Sequence, residues 1–261
     1  MNGYICGVAA IFATSLAMAA ETPKETKSFP SAGLRTVRVE TEIGNISVQG
    51  TDKGDVSVEI SEAAAGKCRL TTEVRGDILI LTALRPDQRS RVNCQAGFRV
   101  LAPSRLDFRA ISGTGDIEVS SMSGALRTRS GTGDITLRMF SGELTADLGS
   151  GTLKGDVVSR KVKAQSGSGA IVLSGLRGSA RVQTGSGDMN ISWAEVPASA
   201  DIHLQAGNGN ISLAFPVNAK LKTTFQAPPD AVSSEFADEE SGAKLFAQVG
   251  GGKVSIRKVA R

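Results

Sequence analysis

The sequence predicts an all-β fold, a single-chain β-solenoid (β-helix) with coils of about 18 residues and a more irregular N-terminal β region. Three observations predict this fold. A Gly-x-Gly motif recurs at a fixed spacing, apolar and polar residues alternate between the motifs, and 30 glycines accompany an ordinary hydrophobic content of 40%. Glycines at fixed spacing indicate turns, and enough Val, Ile and Leu remain to bury a core.

Residues 1–20 are predicted to be a signal peptide. The segment has no charged side chain, is mostly apolar and ends in small residues around Ala19 and Ala20, after which the chain becomes polar. That pattern is typical of secretory signals. An uncleaved membrane anchor is the alternative, although the apolar stretch is short for crossing a bilayer. We therefore expect an exported protein of the periplasm or cell surface, with peripheral but no integral membrane contact.

Residues 21–33 are predicted to form a flexible tail, and residues 34–103 an N-terminal β region with degenerate coils and a hairpin. The degenerate coils begin at Gly44 and Gly54, each followed by an alternating run that ends in valine. The stretch 70–81 alternates in the same way around one glycine, which indicates two strands joined by a tight turn.

Two cysteines remain once the signal segment is removed. Cys68 and Cys94 lie on either side of the predicted hairpin. An even pair of cysteines in an exported chain predicts a disulfide. Two free buried thiols are the alternative.

Residues 104–261 are predicted to form the regular β-solenoid with a C-terminal cap. Gly-x-Gly begins at positions 113, 131, 149, 167 and 185, at a constant interval, and a sixth copy begins at 207. An alternating apolar run follows each motif, for example Ile117 and Val119, and a second run completes the coil, for example Leu126 and Thr128. Period two indicates strands with one buried face. Coils of two strands and two turns would stack at ~4.8 Å, so that equivalent strands form hydrogen bonds.

The C-terminal end of the repeat departs from this regularity. Gly251 and Gly252 precede a last alternating run, which is predicted to be the final, capping copy. A polar stretch over 228–240 is predicted to be a loop that shields the open edge of the solenoid. A flat sheet of antiparallel hairpins is the disfavoured alternative fold, because it needs no fixed phase between successive motifs.

The motifs carry a family resemblance. Gly-Thr-Gly-Asp-Ile at 113–117 and 131–135, with Gly-Asn-Ile-Ser-Val at 44–48 and Gly-Asp-Val-Ser-Val at 54–58, resembles the bacterial putative-adhesin family of β-solenoid domains of unknown function. The resemblance covers roughly residues 37–259. It implies the solenoid fold and an envelope location, and it supplies no catalytic residues.

One coil position is basic in several coils. Arg127, Lys163 and Arg181 share it and are predicted to form an outward column, interrupted by Thr145. Stacked cations ~5 Å apart repel each other unless anions lie between them, so the column is a candidate dock for an anionic polymer. A soluble outer face whose charges discourage aggregation is the alternative. The formal net charge of +4 permits such binding without demanding it.

The carboxylates are not arranged as a metal site. Asp116, Asp134 and Asp188 follow the Gly-x-Gly motifs, but Thr152 and Ala170 interrupt the series. Calcium held between coils needs several oxygens from adjacent turns, whereas Asp also favours turns through bonds to nearby backbone. The sequence therefore predicts turn chemistry, with no metal and no cofactor.

No catalytic residues are predicted either. His203 is the single histidine, and no acid, base and nucleophile converge in the pattern. Nucleic acid is not an expected partner, because aromatic stacking groups are few.

These observations favour a non-catalytic, exported, adhesin-like binding module whose expected partner is an anionic envelope polymer or an envelope protein. The alternative is a structural or assembly scaffold of the envelope without a ligand. A polysaccharide-active solenoid enzyme is a remote alternative.

Overall fold

The computed structural model describes residues 24–52, 54–62, 68–87 and 93–260. The predicted signal peptide, residues 1–20, lies outside the described residues. Apart from one short 3₁₀ helix at Pro229–Ala231, the regular structure of the described residues consists of β-strands. None of the helical structure in these residues is long and apolar enough to cross a membrane.

The strands, in chain order, have the following bounds. They are β1 (Lys24–Pro30), β2 (Thr36–Ile43), β3 (Ile46–Thr51), β4 (Asp55–Glu62), β5 (Arg69–Arg75), β6 (Ile78–Leu84), β7 (Ala96–Pro103), β8 (Asp107–Thr114), β9 (Ile117–Ser120), β10 (Leu126–Thr132), β11 (Ile135–Ser141), β12 (Leu144–Ser150), β13 (Leu153–Val158), β14 (Lys161–Ser168), β15 (Ile171–Leu176), β16 (Ser179–Ser186), β17 (Met189–Trp193), β18 (Asp201–Asn208), β19 (Ile211–Pro216), β20 (Leu221–Gln226), β21 (Val232–Ser234), β22 (Ala243–Gly251) and β23 (Val254–Val259).

These strands form two long sheets. Sheet I has the order β1-β4-β7-β3-β9-β11-β13-β15-β17-β19-β23-β21, and sheet II has the order β20-β22-β18-β16-β14-β12-β10-β8-β2-β6-β5. In the regular part, each coil contributes one strand to each sheet, and equivalent strands pair in parallel. The predicted all-β solenoid is confirmed.

The core consists of like residues stacked from coil to coil. Ile117 pairs with Ile135, Ile135 with Leu153, and Leu153 with Ile171, and all four are fully buried. The residues that alternate with them lie on the outer face. The alternation of period two therefore places one apolar ladder from each sheet inside the solenoid.

At the N-terminal end, the order of coils in space differs from their order in the chain. β2 pairs with both β6 and β8, and β3 pairs with both β7 and β9. The coil made by β2 and β3 therefore lies between the coil of β6 and β7 and the regular stack. Whether a domain boundary lies near residue 103 stays a prediction.

The expected flexible tail over residues 21–33 is corrected for residues 24–33, and residues 21–23 lie outside the described residues. Lys24–Pro30 forms β1, which pairs antiparallel with β4 along its full length. Phe29 packs against the core, and the Ser31 hydroxyl donates to the carbonyl oxygen of Gly54. The segment is ordered because it covers the outer edge of β4, a role that its mostly polar sequence does not signal.

The predicted disulfide is present. Cys68, just before β5, is bonded to Cys94, just before β7, with their Cα atoms 4.9 Å apart. The bond ties the antiparallel hairpin of β5 and β6 to the strand that follows it.

The predicted capping copy at Gly251 and Gly252 is also corrected. It belongs to the coil of β22 and β23, which lies between the coil of β18 and β19 and the strands β20 and β21. β20 and β21 are therefore the outermost strands. The apolar pattern of the last copy suits an interior coil, and this is why it has neighbours on both sides.

The stretch predicted as a loop, 228–240, begins with the 3₁₀ helix and β21, and its later part shields the open edge. The Asp238 carboxylate accepts hydrogen bonds from the backbone nitrogen of Thr223 at 2.6 Å and from its hydroxyl at 2.9 Å. The backbone nitrogen of Glu239 donates to the carbonyl oxygen of Leu221 at 2.9 Å. The loop thus occupies groups that β20 would otherwise leave unpaired.

Candidate binding face

The outer face of sheet II carries the basic residues predicted as a column. Arg127 pairs in register with Thr145, Thr145 with Lys163, and Lys163 with Arg181. The three basic side chains are exposed and follow the solenoid axis at ~4.8 Å per coil. The structure brings these residues together, and their role in binding stays a prediction.

A further arginine extends this row. Arg109 on β8 pairs with Arg127 on one side and with Arg38 on the other. Sequence reasoning missed Arg109 because coil positions were counted from Gly113, although it precedes Arg127 by the same interval that separates the glycine motifs. We call the following set the basic row: Arg109, Arg127, Thr145, Lys163 and Arg181.

The four cations of the basic row have unpaired side chains. Within the described part of the chain, none of them forms an ion pair or a side-chain hydrogen bond. Beside the row, Arg38 contacts Glu40 at 2.7 Å, and on sheet I Arg138 contacts Glu118 at 2.9 Å. The basic row is therefore a strip of cations that form no ion pair, on a face that also carries Glu40, Glu143 and Asp147.

A row of glutamines begins beside Lys163 and Arg181, two residues further along each strand, and continues onto β18 and β22. The side-chain nitrogen of Gln165 donates to Gln183 at 3.2 Å, Gln183 donates to Gln205 at 2.7 Å, and Gln205 donates to Gln248 at 3.2 Å. All four side chains are half-buried. Sequence analysis missed this glutamine row, although Gln165 and Gln183 are separated by one repeat interval.

An open trench of about 850 Å³ lies on the far side of the glutamine row. The backbone of a series of glycines forms the floor of this trench, and the series includes Gly149, Gly167 and Gly185. A Cβ built on Gly167 would lie 2.7 Å from the carbonyl oxygen of Gly149 in the neighbouring coil, so no side chain fits there. The close approach of the coils therefore leaves the trench unfilled.

A second depression, of about 710 Å³, lies over the N-terminal half of the basic row. Arg129 and Asp147 line both depressions. The two depressions thus adjoin at Arg129 and Asp147 on the outer face of sheet II.

The single histidine lies at the C-terminal end of the same face. His203 pairs with Arg181 on one side and with Phe246 on the other. The rings of His203 and Phe246 stack with their centroids 4.4 Å apart. This contact gives His203 a packing role at the end of the basic row.

The aspartates after the Gly-x-Gly motifs connect neighbouring coils. The Asp116 carboxylate accepts from the backbone nitrogen of Asp134 at 2.8 Å, and the Asp134 carboxylate accepts from that of Thr152 at 2.8 Å. The Asp188 carboxylate accepts from the nitrogen of Asn210 at 2.7 Å. In the residues that the structure describes, no group of three His, Cys, Asp or Glu side chains is placed to hold a metal ion.

Comparison with protein families matched residues 23–244 to the profile of Toastrack DUF4097. The chain belongs to the Toastrack family. The resemblance to a family of β-solenoid domains of unknown function, drawn from the Gly-x-Gly motifs, is thereby confirmed. A comparison with curated proteins found no match.

Several solved structures resemble this Toastrack chain. A putative adhesin from Bacteroides fragilis is 14% identical, with a TM-score of 0.56, and the match covers 90% of this chain and 97% of that one. A putative lipid binding protein from Parabacteroides distasonis is 14% identical with a TM-score of 0.48, covering 90% and 97% of the two chains. A putative adhesin from the same species is 12% identical with a TM-score of 0.46, covering 91% and 98%. The Bacteroides fragilis structure shows that the fold is shared.

Proposed function

We propose that this Toastrack protein is an exported, non-catalytic binding module that docks an anionic polymer of the cell envelope on its basic row. The observation that carries the proposal is the alignment of Arg109, Arg127, Lys163 and Arg181 on one outer face, each with an unpaired side chain.

The electrostatics of the row favour a repeating anionic ligand. Like charges on neighbouring strands destabilise a sheet, and here parallel pairing keeps them side by side. A polyanion along the axis would place a negative charge near each cation and replace repulsion with attraction. A linear ligand also matches a linear site, because the cations repeat along the same axis as the coils.

Two observations support export. Cys68 and Cys94 form a disulfide, which persists in oxidising compartments. The charge-free apolar segment at residues 1–20 has the pattern of a secretory signal. The similar Bacteroides fragilis protein is a putative adhesin, which accords with these two observations.

The shielded C-terminal edge favours a binding module over a scaffold that assembles through that end. At the N-terminal end β1 and β5 are the outer strands, and at the C-terminal end the loop with Asp238 covers the edge of β20. Edge strands shielded in this way offer few free backbone groups for pairing with another copy. The two depressions on the lateral face of sheet II offer a surface for a partner.

A charge-reversal experiment tests the proposal. We expect the triple variant Arg127→Glu, Lys163→Glu, Arg181→Glu to lose about 100-fold or more in affinity for polygalacturonate, since charge-assisted contacts are replaced by repulsion. The wild-type affinity should also fall as salt is raised, because salt screens exposed charges. Isothermal titration calorimetry with the mature chain measures both effects.

The matched control places the same charge change on the opposite side of the solenoid. Lys154→Glu, Lys253→Glu, Arg257→Glu alters exposed residues on or next to sheet I. The affinity of this control for polygalacturonate should fall by no more than about threefold. The small loss is expected because any added negative charge weakens the long-range attraction for the polymer. Equal losses in the two triple variants would contradict a site on the basic row.

A further inference from the structure

The basic row and the glutamine row lie side by side on the same strands. Lys163 and Gln165 both face outward on β14, and Arg181 and Gln183 do so on β16. Residues two apart on a strand are ~6.6 Å apart, so the two rows lie side by side over these two coils, and each continues along the axis in the opposite direction. We propose that the ligand of this face is an acidic polysaccharide whose carboxylates contact the basic row and whose hydroxyls contact the glutamine row. This inference rests on the function proposed above.

The amides of the glutamine row retain hydrogen-bonding capacity. Within the row, a side-chain nitrogen uses one N–H and a side-chain oxygen accepts one bond. A glutamine amide carries two N–H donors and an oxygen with two lone pairs, so both a donor and an acceptor remain. The side chains are half-buried, and the remaining groups can reach a ligand. A sugar hydroxyl, which donates and accepts, matches this pair.

The charge pattern distinguishes a polysaccharide from a polyphosphate. The glutamine row is neutral from Gln165 to Gln248, and the adjacent row is basic beside Gln165 and Gln183, where it carries Lys163 and Arg181. A polyphosphate chain offers only acceptor oxygens and negative charge on all sides, so it leaves the amide oxygens unmatched. A polyuronate has a charged carboxylate and neutral hydroxyls on each ring, and it presents both kinds of group to the two rows.

The shape of the face also suits a chain of sugar rings. The repeat of an extended 1,4-linked pyranose chain is close to the spacing of one coil, so each ring can lie over one glutamine. The glycine floor of the trench leaves about 850 Å³ beside the glutamine row. The trench has room for the edge of each sugar ring that faces away from the basic row. A side chain in place of the glycines would exclude the ring from this space.

The hydrogen bonds within the glutamine row also have a structural effect, because stacked glutamines stabilise parallel strands. The test therefore compares ligands as well as variants. Gln183→Leu, Gln205→Leu removes two amides but keeps similar side-chain volume. Its control, Gln49→Leu, Asn190→Leu, makes the same kind of change at exposed positions of sheet I.

Calorimetry would use the mature chain with polygalacturonate, its full methyl ester and long-chain polyphosphate. We expect the wild type to bind polygalacturonate at least tenfold more tightly than polyphosphate at equal charge concentration, and not to bind the methyl ester. The Gln183→Leu, Gln205→Leu variant should lose about tenfold for polygalacturonate and stay within about twofold for polyphosphate. The sheet I control should match the wild type with both ligands. If the double variant does not fold, Gln183→Leu alone should show about a threefold loss.

The other results separate the two proposals. Equal wild-type affinities for polygalacturonate and polyphosphate, or an equal effect of the leucine variant on both, would overturn the polysaccharide inference while the charge-reversal result still supports the basic row. Tight binding of the methyl ester would also overturn it, because the carboxylates would then be unnecessary. A wild type that binds none of the three polymers would overturn both proposals.

Discussion

Asp134 shows how a single side chain joins two coils. Its backbone nitrogen donates to the Asp116 carboxylate, and its own carboxylate accepts from the backbone nitrogen of Thr152, both at 2.8 Å. Sequence reasoning expected these aspartates to bond nearby backbone within a turn. The bonds instead run to the next coil, which is close in space but 18 residues away in the chain.

We predict that Asp134→Ala lowers the free energy of unfolding by about 1 kcal/mol, because the nitrogen of Thr152 loses its acceptor. The natural sequence has Ala170 at the equivalent position of another coil. Ala170→Asn should therefore add a bond of the same kind, to the nitrogen of Asp188, and raise stability by a few tenths to about 1 kcal/mol. Urea denaturation of the three proteins measures both changes. If Asp134→Ala leaves the free energy of unfolding unchanged and Ala170→Asn lowers it, the proposed linkage between coils is contradicted.

At the scale of elements, the loop before β22 protects the edge strand β20. The Asp238 carboxylate replaces a neighbouring strand as the acceptor for Thr223. The pKa of Asp238 is lowered from its ordinary value of 3.8, first by the hydrogen bond from the Thr223 backbone and second by the bond from the Thr223 hydroxyl. The charge of Lys222 has a smaller effect in the same direction. The edge is thus covered best when the carboxyl group is ionised.

The lowered pKa of Asp238 predicts a pH dependence of stability. Because the folded-state pKa is below that of the unfolded chain, the carboxylate stabilises the fold above the unfolded pKa, and this effect is lost as pH falls through the folded pKa. We expect the Tm difference between the wild type and Asp238→Asn to be constant near neutral pH and to shrink below pH 3.8. Thermal unfolding at a series of pH values checks this. If the Tm difference stays the same in strong acid, the ionised Asp238 carboxylate is not its cause.

The repeating elements could be predicted from sequence, whereas the terminal ones could only be predicted in part. The Gly-x-Gly spacing and the alternation at Ile117 and Ile135 are local signals, and the structure reproduces both. β1 gave no such signal, since an edge strand such as Lys24–Pro30 needs little apolar alternation. The glutamine row and Arg109 carried the same repeat spacing as the glycines, and comparing every coil position instead of those after Gly113 would have found them.

At the scale of the whole molecule, the spatial order of the coils was not predictable. The coil of β22 and β23 lies inside β20 and β21, and the coil of β2 and β3 lies inside the coil of β6 and β7 and the antiparallel strands β5, β4 and β1. Their apolar patterns resemble those of other coils, so nothing local specifies which coil is their neighbour. In a solenoid each repeat contacts only its neighbours. Placing these two coils inside the stack gives each of them two neighbours and leaves shorter or antiparallel strands at the ends.

The long outer faces are the other whole-molecule property. On sheet II the unpaired cations Arg109, Arg127, Lys163 and Arg181 share one register position, whereas exposed cations of sheet I such as Lys154 and Arg257 lie at different register positions. The two faces share one core and one coil spacing. Their difference in outward side chains therefore concerns what contacts the surface, because the fold itself needs only the inward ones.

The most direct test of this account is an arginine footprint of the folded protein with phenylglyoxal, read by mass spectrometry with and without polygalacturonate. The account predicts that the polymer protects Arg109, Arg127 and Arg181 and leaves Arg177 and Arg257 as reactive as in the free protein. Equal protection of all five arginines, or none at any of them, would contradict a binding face on sheet II.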